Sequence, residues 1–417
     1  MTNLSYCNWI KFLNITNLIS ALFIVSISIF HYEKIHNITL YIFATTFVLG
    51  YLFEKRWKAF AWTKYSYFFL MFIIYYLLTI VWMPFEERQD YSMKMLEYRL
   101  VFLGIGIVGI LGLNKYHKFK YYVWVLGSTS LLVSLYILGK TIFITGFSAE
   151  FLRYMSSVRS EINYHMAFNY YLNISNVLVI YMLLKNENRK PITYFYIISL
   201  LINYVVLLTS DGRIGFLTSI IILIMPLIAL SLKQKKLAIV LSVLFLSTCS
   251  FIFFQKDRVN NISIPDDPRT FIWKNSIELI KESAMGYGTG DAIVHFSNKV
   301  TSDSLFVEKC GNDPIFIVIE QNRIVCIHSH NLFLQSMLEF GVIGLIVSLM
   351  LYLIPFMISF SVQFKERLAI ILVTLTTFLQ TLTDNISAVP IIIYLLVMIV
   401  LFNHAEKEKL SSIICDA

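Results

Sequence analysis

Apolar runs long enough to cross a bilayer recur along almost the whole chain, and that recurrence leaves few folds open. A hydrocarbon core of about 30 Å takes roughly 20 apolar residues as a helix, and each segment inside it must satisfy its own backbone hydrogen bonds. Of 417 residues, 57% are hydrophobic and only 14% are charged, and the mean hydropathy is +0.69, which excludes an ordinary soluble domain. The reading is an all-α polytopic membrane helical bundle of about 12 transmembrane helices. The spans fall near 12–31, 38–53, 65–83, 100–114, 121–144, 166–184, 192–209, 214–232, 237–254, 332–358, 368–383 and 388–403.

Lys and Arg collect in loops that stay in the cytoplasm, so the charges give the orientation. Basic clusters at Lys55-Arg56-Trp57-Lys58, Lys115 to Lys120, Lys185 to Lys190, Lys233 to Lys236 and Lys365-Glu366-Arg367, with the tail through Lys407 and Lys409, follow the even-numbered spans. Both termini are therefore expected in the cytoplasm. The net charge of +8 is mostly this orientation signal, and it gives no support to a nucleic-acid partner. The first apolar run carries no small-residue cleavage pattern after it, so it is expected to remain as the first span. The whole of 1–417 reads as one integral membrane domain with a large external loop, 255–328, inserted between spans 9 and 10.

A loop of that length inside a compact protein has structure of its own. Pro265-Asp266-Asp267-Pro268 is a turn that can cap a helix from Arg269, and Trp273, Ile277 and Ile280 recur at helical spacing, giving a face to rest on the membrane surface or the bundle. Gly286-Tyr287-Gly288-Thr289-Gly290 looks like a phosphate-cradling loop, but no strand precedes it, so a tight turn is the better reading. Pro314 to Ile319 and Ile324 to Ile327 are short strands flanking Gln321-Asn322. Cys310 and Cys326 share this loop and are expected to close the hairpin as a disulfide on an oxidising face.

The loop re-enters the membrane through Ile327-His328-Ser329-His330-Asn331. No paired metal-ligand spacing such as His-Glu-x-x-His occurs, and a single serine separates the two histidines. Cations gather near the external span ends: Arg153, Arg159 and His165 before the sixth span, Arg213 before the eighth, and Arg269 in the large loop. Arginine grips phosphate oxygens with two parallel donors, so this set suits a diphosphate. Structural roles stand beside that one. Arg153 and Arg159 can simply solvate a loop, Arg213 can pair with Asp211, and Arg269 can cap its turn against Asp266 or Asp267.

His-Ser-His-Asn-x-x-Leu at the end of an external loop, with Gly341 and Gly344 beyond it, resembles the signature of the O-antigen ligase family of membrane glycosyltransferases, which includes related O-antigen polymerases. Ser210-Asp211-Gly212-Arg213 resembles the family's Ser-Arg-Gly element, with Asp211 and Gly212 intervening before the arginine. Arg269-Thr270-Phe271-Ile272-Trp273 leading to Gly286-Tyr287-Gly288 adds to the resemblance, which spans roughly 150–360. It implies transfer of a glycan from undecaprenyl diphosphate to lipid A-core oligosaccharide on the periplasmic face of the bacterial inner membrane, with no cofactor or metal. Carried over by position, His330 is the catalytic base, Arg213 and Arg269 bind the diphosphate, and Asn331 positions the histidine or its loop. His328, Arg159 and His165 are supporting candidates. A polymerase that joins lipid-linked repeats shares the same motifs. A polysaccharide-lipid transporter would instead place ionisable residues deep inside several spans and show two related halves, and no internal repeat is visible in this sequence.

Overall fold

The computed structural model describes residues 3–30, 32–82, 89–146, 151–185, 189–209, 213–230, 239, 242–243, 246, 268–289, 291–310, 318–320, 323–325, 329–383 and 388–416. The helices are α1 (Asn3–Ile27), α2 (Glu33–Phe53), α3 (Ser66–Val81), α4 (Gln89–Leu111), α5 (Phe119–Thr145), α6 (Phe151–Ser160), α7 (His165–Lys185), α8 (Lys190–Leu208) and α9 (Arg213–Leu230). The segment expected as the large loop supplies α10 (Pro268–Glu282), α11 (Asp291–Ser302) and α12 (Ser304–Cys310), followed by α13 (Leu332–Ser359), α14 (Phe364–Thr381) and α15 (Ala388–Asp416). A hairpin of β1 (Val318–Glu320) and β2 (Arg323–Val325) is antiparallel, with Val318 opposite Val325.

Among the described residues, seven helices are long and apolar enough to cross a membrane, and α3, Arg99–Leu111 and Ile214–Leu227 are shorter apolar helices. The chain is thus an all-α polytopic membrane bundle. Every expected span except 237–254 and 368–383 falls mainly on one of these helices, and 237–254 lies almost entirely outside the described residues. The span expected at 368–383 is a helix, α14, but Thr374, Thr376, Thr377, Gln380 and Thr381 are buried along it, so it packs as a polar-seamed inner helix.

Burial ranks the helices. In α7, 89% of the apolar window is buried, against 39% in α8, so α7 is central and must be tolerated on every side. It achieves this with polar residues bonded across helix interfaces, as membrane bundles do where no hydrophobic force separates helix from lipid. Asn203 Nδ2 of α8 donates to Asn176 Oδ1 of α7 and to Ser130 Oγ of α5. Asn173 Nδ2 donates to the Gly215 carbonyl of α9. At the C-terminal end of α7, Tyr181 donates to Glu366 of α14 at 2.7 Å and its hydroxyl lies 3.0 Å from His404 Nε2 of α15.

The loop helices form a small layer with its own core of Ile272, Leu279, Ala292, Phe296, Val300 and Phe306, closed by Leu338 from α13. Burial of those side chains is what holds this layer to the bundle. The helix from Arg269 is present, but its buried stripe is Ile272, Ser276 and Leu279, while Ile277 is 45% exposed. The stripe expected from Trp273, Ile277 and Ile280 is therefore rotated by one residue. The cause lies in Trp273, whose indole N–H needs a partner and sits at the edge of the layer to reach one.

Candidate functional site

Ser329, His330 and Asn331 form a strap that crosses the top of α13, and nearly every polar group on either side of the histidine is bonded. Trp273 Nε1 of α10 donates to the Ser329 carbonyl at 3.1 Å. The Ser329 amide donates to Gln335 Oε1 at 3.0 Å, and its hydroxyl donates to the Asn331 carbonyl at 2.8 Å. Asn331 is the N-cap of α13: its Oδ1 accepts from the amides of Phe333 and Leu334, at 2.9 and 3.0 Å, which satisfies two of the helix's orphan donors. Its Nδ2 donates to the Leu382 carbonyl at the end of α14.

Between these clamps His330 adopts φ +50° and is 7% exposed. A left-handed backbone at a side chain with a Cβ is uncommon and persists where neighbouring contacts over-determine it. The strap supplies those contacts. His330 is thus held with its ring in a fixed, nearly buried position at the mouth of the bundle.

Arg269 stands in the first turn of α10, four residues before Trp273, so the two lie on one helix face. The Trp273 to Ser329 bond therefore brings the helix of Arg269 directly against the strap of His330. The other candidates gather at the same end through a chain of helix contacts. Asn331 reaches the end of α14. Tyr170 near the start of α7 pairs with Thr377 of α14 at 2.9 Å. Gly215 of α9 lies so close to Asn169 of α7 that a Cβ there would sit 2.5 Å from the Asn169 Cβ. His165, the half-buried first residue of α7, and Arg213, the first residue of α9, thus belong to two adjoining helix starts. Arg159 is buried, donates through Nη2 to Ser156 Oγ at 3.3 Å within its own helix, and sits at the turn into α7.

The side chain of Arg213, all of His328 and Cys326, and the side chain of Cys310 lie outside the described residues. Among the described residues no group of three or more His, Cys, Asp and Glu side chains is arranged to hold a metal ion. A cleft of about 680 Å³ opens at the same end between α1, α5 and the α6 to α7 turn, with Tyr32, Tyr136, Glu161, Asn163 and Tyr164 in its walls.

Gly286-Tyr287-Gly288-Thr289 is a turn, and its role is to lock the external layer into the membrane helices. The Tyr287 and Gly288 amides donate to the Leu338 and Glu339 carbonyls at 2.7 and 2.9 Å, where α13 is broken by Gly341 at φ +61°. Thr289 donates through its amide to Trp82 and through its hydroxyl to Thr79. Burial first, and the Glu282 carboxylate second, hold the Tyr287 phenol above its ordinary range, so it stays protonated and donates to the Leu279 carbonyl at 3.1 Å.

Sequence reading placed charge at span ends and gave no role to Gln335 or Glu339. Both are polar side chains inside α13, one and two turns below Asn331, with Glu339 bonded to Gln335 Nε2 at 2.6 Å. Their signal was the i, i+4, i+8 spacing of Asn331, Gln335 and Glu339 in an otherwise apolar helix.

A family model described as O-antigen ligase matches residues 197–349, the stretch that carries Arg213, Arg269, the Gly286 turn and the His330 strap. That is the family which the motifs resemble. The match indicates a glycosyltransferase-like enzyme with ligase or polymerase-like function in lipopolysaccharide biosynthesis. No curated protein matches the chain.

Proposed function

We propose that this chain, carrying an O-antigen ligase family domain, is an O-antigen ligase that transfers a polysaccharide from undecaprenyl diphosphate to a hydroxyl of lipid A-core oligosaccharide. The reaction takes place at the periplasmic face of the bacterial inner membrane, with both termini in the cytoplasm. The observation that carries this reading is the Trp273 to Ser329 hydrogen bond, which joins the helix bearing Arg269 to the strap bearing His330. A diphosphate leaving group and a proton acceptor have to meet within a few ångströms, and this bond supports that meeting.

In the proposed step His330 takes the proton of the acceptor hydroxyl as its oxygen attacks the anomeric carbon from the side opposite the diphosphate. The bond from that carbon to the diphosphate oxygen breaks, and its electron pair leaves with undecaprenyl diphosphate. Arg269 and Arg213 meet the negative charge that develops there. One displacement inverts the anomeric centre, and the reading calls for neither nucleotide nor metal. Asn331 holds the strap, while His165, Arg159 and His328 support the polar end of the bundle.

The test is deletion of the gene in its host, with surface lipopolysaccharide run on a gel and undecaprenyl-linked glycan extracted in parallel. A ligase leaves lipid A-core bare while long polymer accumulates on the carrier. Lipid A-core carrying a single repeat identifies a polymerase instead, and no change in either fraction overturns the family function. Product with retained anomeric configuration would exclude the single-displacement step.

A further inference from the structure

Glu339 is a carboxyl placed about two turns inside an apolar membrane helix, where a charge is expensive unless it has partners and a task. Its partners form a continuous line. Glu339 Oε1 accepts from Gln335 Nε2 at 2.6 Å, and Gln335 Oε1 accepts from the Ser329 amide at 3.0 Å, one residue before His330. Gln335 is 5% exposed. On the far side Arg99 of α4 lies within electrostatic reach of the carboxylate. Arg99 is itself tethered, since its Nη1 donates to the Thr79 carbonyl at 2.7 Å. The same carbonyl accepts the Thr289 hydroxyl of the glycine turn at 3.1 Å.

We infer that Glu339 and Gln335 are positioning residues for His330, a buried relay that orients the strap from below while Trp273 holds it from the side. This rests on the ligase reading for its kinetic test, though not for its structural one. An amide side chain can donate at one end and accept at the other only if it is oriented, and the Glu339 Oε1 oxygen, which accepts from Nε2, fixes that orientation. With the Gln335 amide turned the right way, its oxygen faces the Ser329 N–H. Without that acceptor oxygen the amide is free to flip, the strap loses its inner tether, and the imidazole of His330 is left with a spread of positions. Chemistry suffers from such a spread far more than binding does, because reacting groups displaced by about 1 Å lose on the order of a hundredfold in rate.

The experiment uses the full chain purified in nanodiscs, with undecaprenyl-diphosphate-linked O-chain extracted from a host lacking the protein as donor and O-chain-free lipopolysaccharide as acceptor. Gln335→Leu and Glu339→Leu are each expected to lower kcat by about tenfold to a hundredfold with the donor KM within about twofold of wild type. Glu339→Gln keeps an acceptor oxygen for Gln335 and is expected within about fivefold of wild-type kcat. The double Leu variant is expected to be no slower than either single one, since the two residues act as a unit. In parallel, hydrogen exchange of the peptide covering Ser329–Asn331 is expected to accelerate in both Leu variants and to stay near wild type in Glu339→Gln. Unchanged exchange in Gln335→Leu overturns the relay, as does a raised KM with unchanged kcat. His330→Ala separates the two readings. If that variant transfers glycan at the wild-type rate, the base assignment fails and the relay is judged on exchange alone. If it is inactive while Gln335→Leu is normal in rate and exchange, only the relay fails.

Discussion

Gly286 and Gly341 meet backbone to backbone. A Cβ added at Gly286 would lie 2.6 Å from the Glu339 carbonyl oxygen, and one added at Gly341 would overlap the Ala284 carbonyl. Both have positive φ, +78° and +61°. This contact lets the external turn sink into the break in α13, so that the layer carrying Arg269 is fixed relative to the strap carrying His330.

Alanine at either glycine is therefore expected to loosen the external layer. A left-handed non-glycine residue costs about 1–2 kcal/mol before any clash is counted. Gly341→Ala and Gly286→Ala are expected to lower the thermal midpoint in detergent and to speed proteolytic cutting within 268–302. Gly139→Ala in α5, where an added Cβ meets open space, is the control and is expected to be neutral or slightly stabilising, since mid-helix glycine is disfavoured by roughly 0.5–1 kcal/mol. Equal behaviour of Gly139→Ala and Gly341→Ala would refute the backbone lock.

Trp273→Phe removes one donor and little else. The ring volume is largely kept, and the Ser329 carbonyl loses its partner, a loss of about 1 kcal/mol for a hydrogen bond of this kind. Expression and the thermal midpoint are expected to change little. Glycan transfer is expected to fall on the order of tenfold, because the bond aligns the two elements proposed to carry the chemistry. Transfer at the wild-type rate in the Phe variant would mean that α10 is held against the strap by packing alone.

The sequence announced the membrane helices plainly, because each apolar run has to satisfy its own backbone wherever it lies. Asn331 was singled out only as a residue that positions the histidine or its loop, and its place as the N-cap of α13 came from the structure. The face of α10 was not legible. Its spacing allowed two adjacent stripes, and the choice of Ile272, Ser276 and Leu279 over Trp273, Ile277 and Ile280 depended on a hydrogen bond to Ser329, 56 residues away. Gln335 and Glu339 were visible as polar residues in an apolar run, but their link to the strap required the turn of α13 to be in place. Periodicity shows which residues can share a face, and only tertiary contact decides what that face touches.

Asn331 makes two kinds of bond that substitution can separate. Asn331→Asp keeps an oxygen for the Phe333 and Leu334 amides and adds a negative charge at a helix N-terminus, which is favourable. It loses the donor to Leu382 at the end of α14. Asn331→Ala loses both and is expected to cost about 1 kcal/mol more than the aspartate through the missing cap. Thermal unfolding of the two variants in the same detergent gives the difference. An aspartate variant no more stable than the alanine would show that the tie to α14, and not the cap, is what holds this position.

His330 is the residue at which stability and activity are expected to part. Its φ of +50° suits glycine, which adopts that region without a Cβ penalty, whereas the bonds on Ser329 and Asn331 help to keep the imidazole there. His330→Gly is therefore expected to fold at least as stably as wild type, by up to about 1 kcal/mol where lost side-chain packing does not offset the gain, while losing transfer entirely. His330→Ala keeps the Cβ in the disfavoured region and loses the ring, so it is expected to be the least stable of the three and equally inactive. Both variants should still retain undecaprenyl diphosphate on a binding column, because the proposal assigns the donor's charge to the arginines and not to the histidine. Full transfer by either variant would remove His330 from the chemistry. A glycine variant less stable than the alanine would show that the left-handed backbone at this position carries no strain.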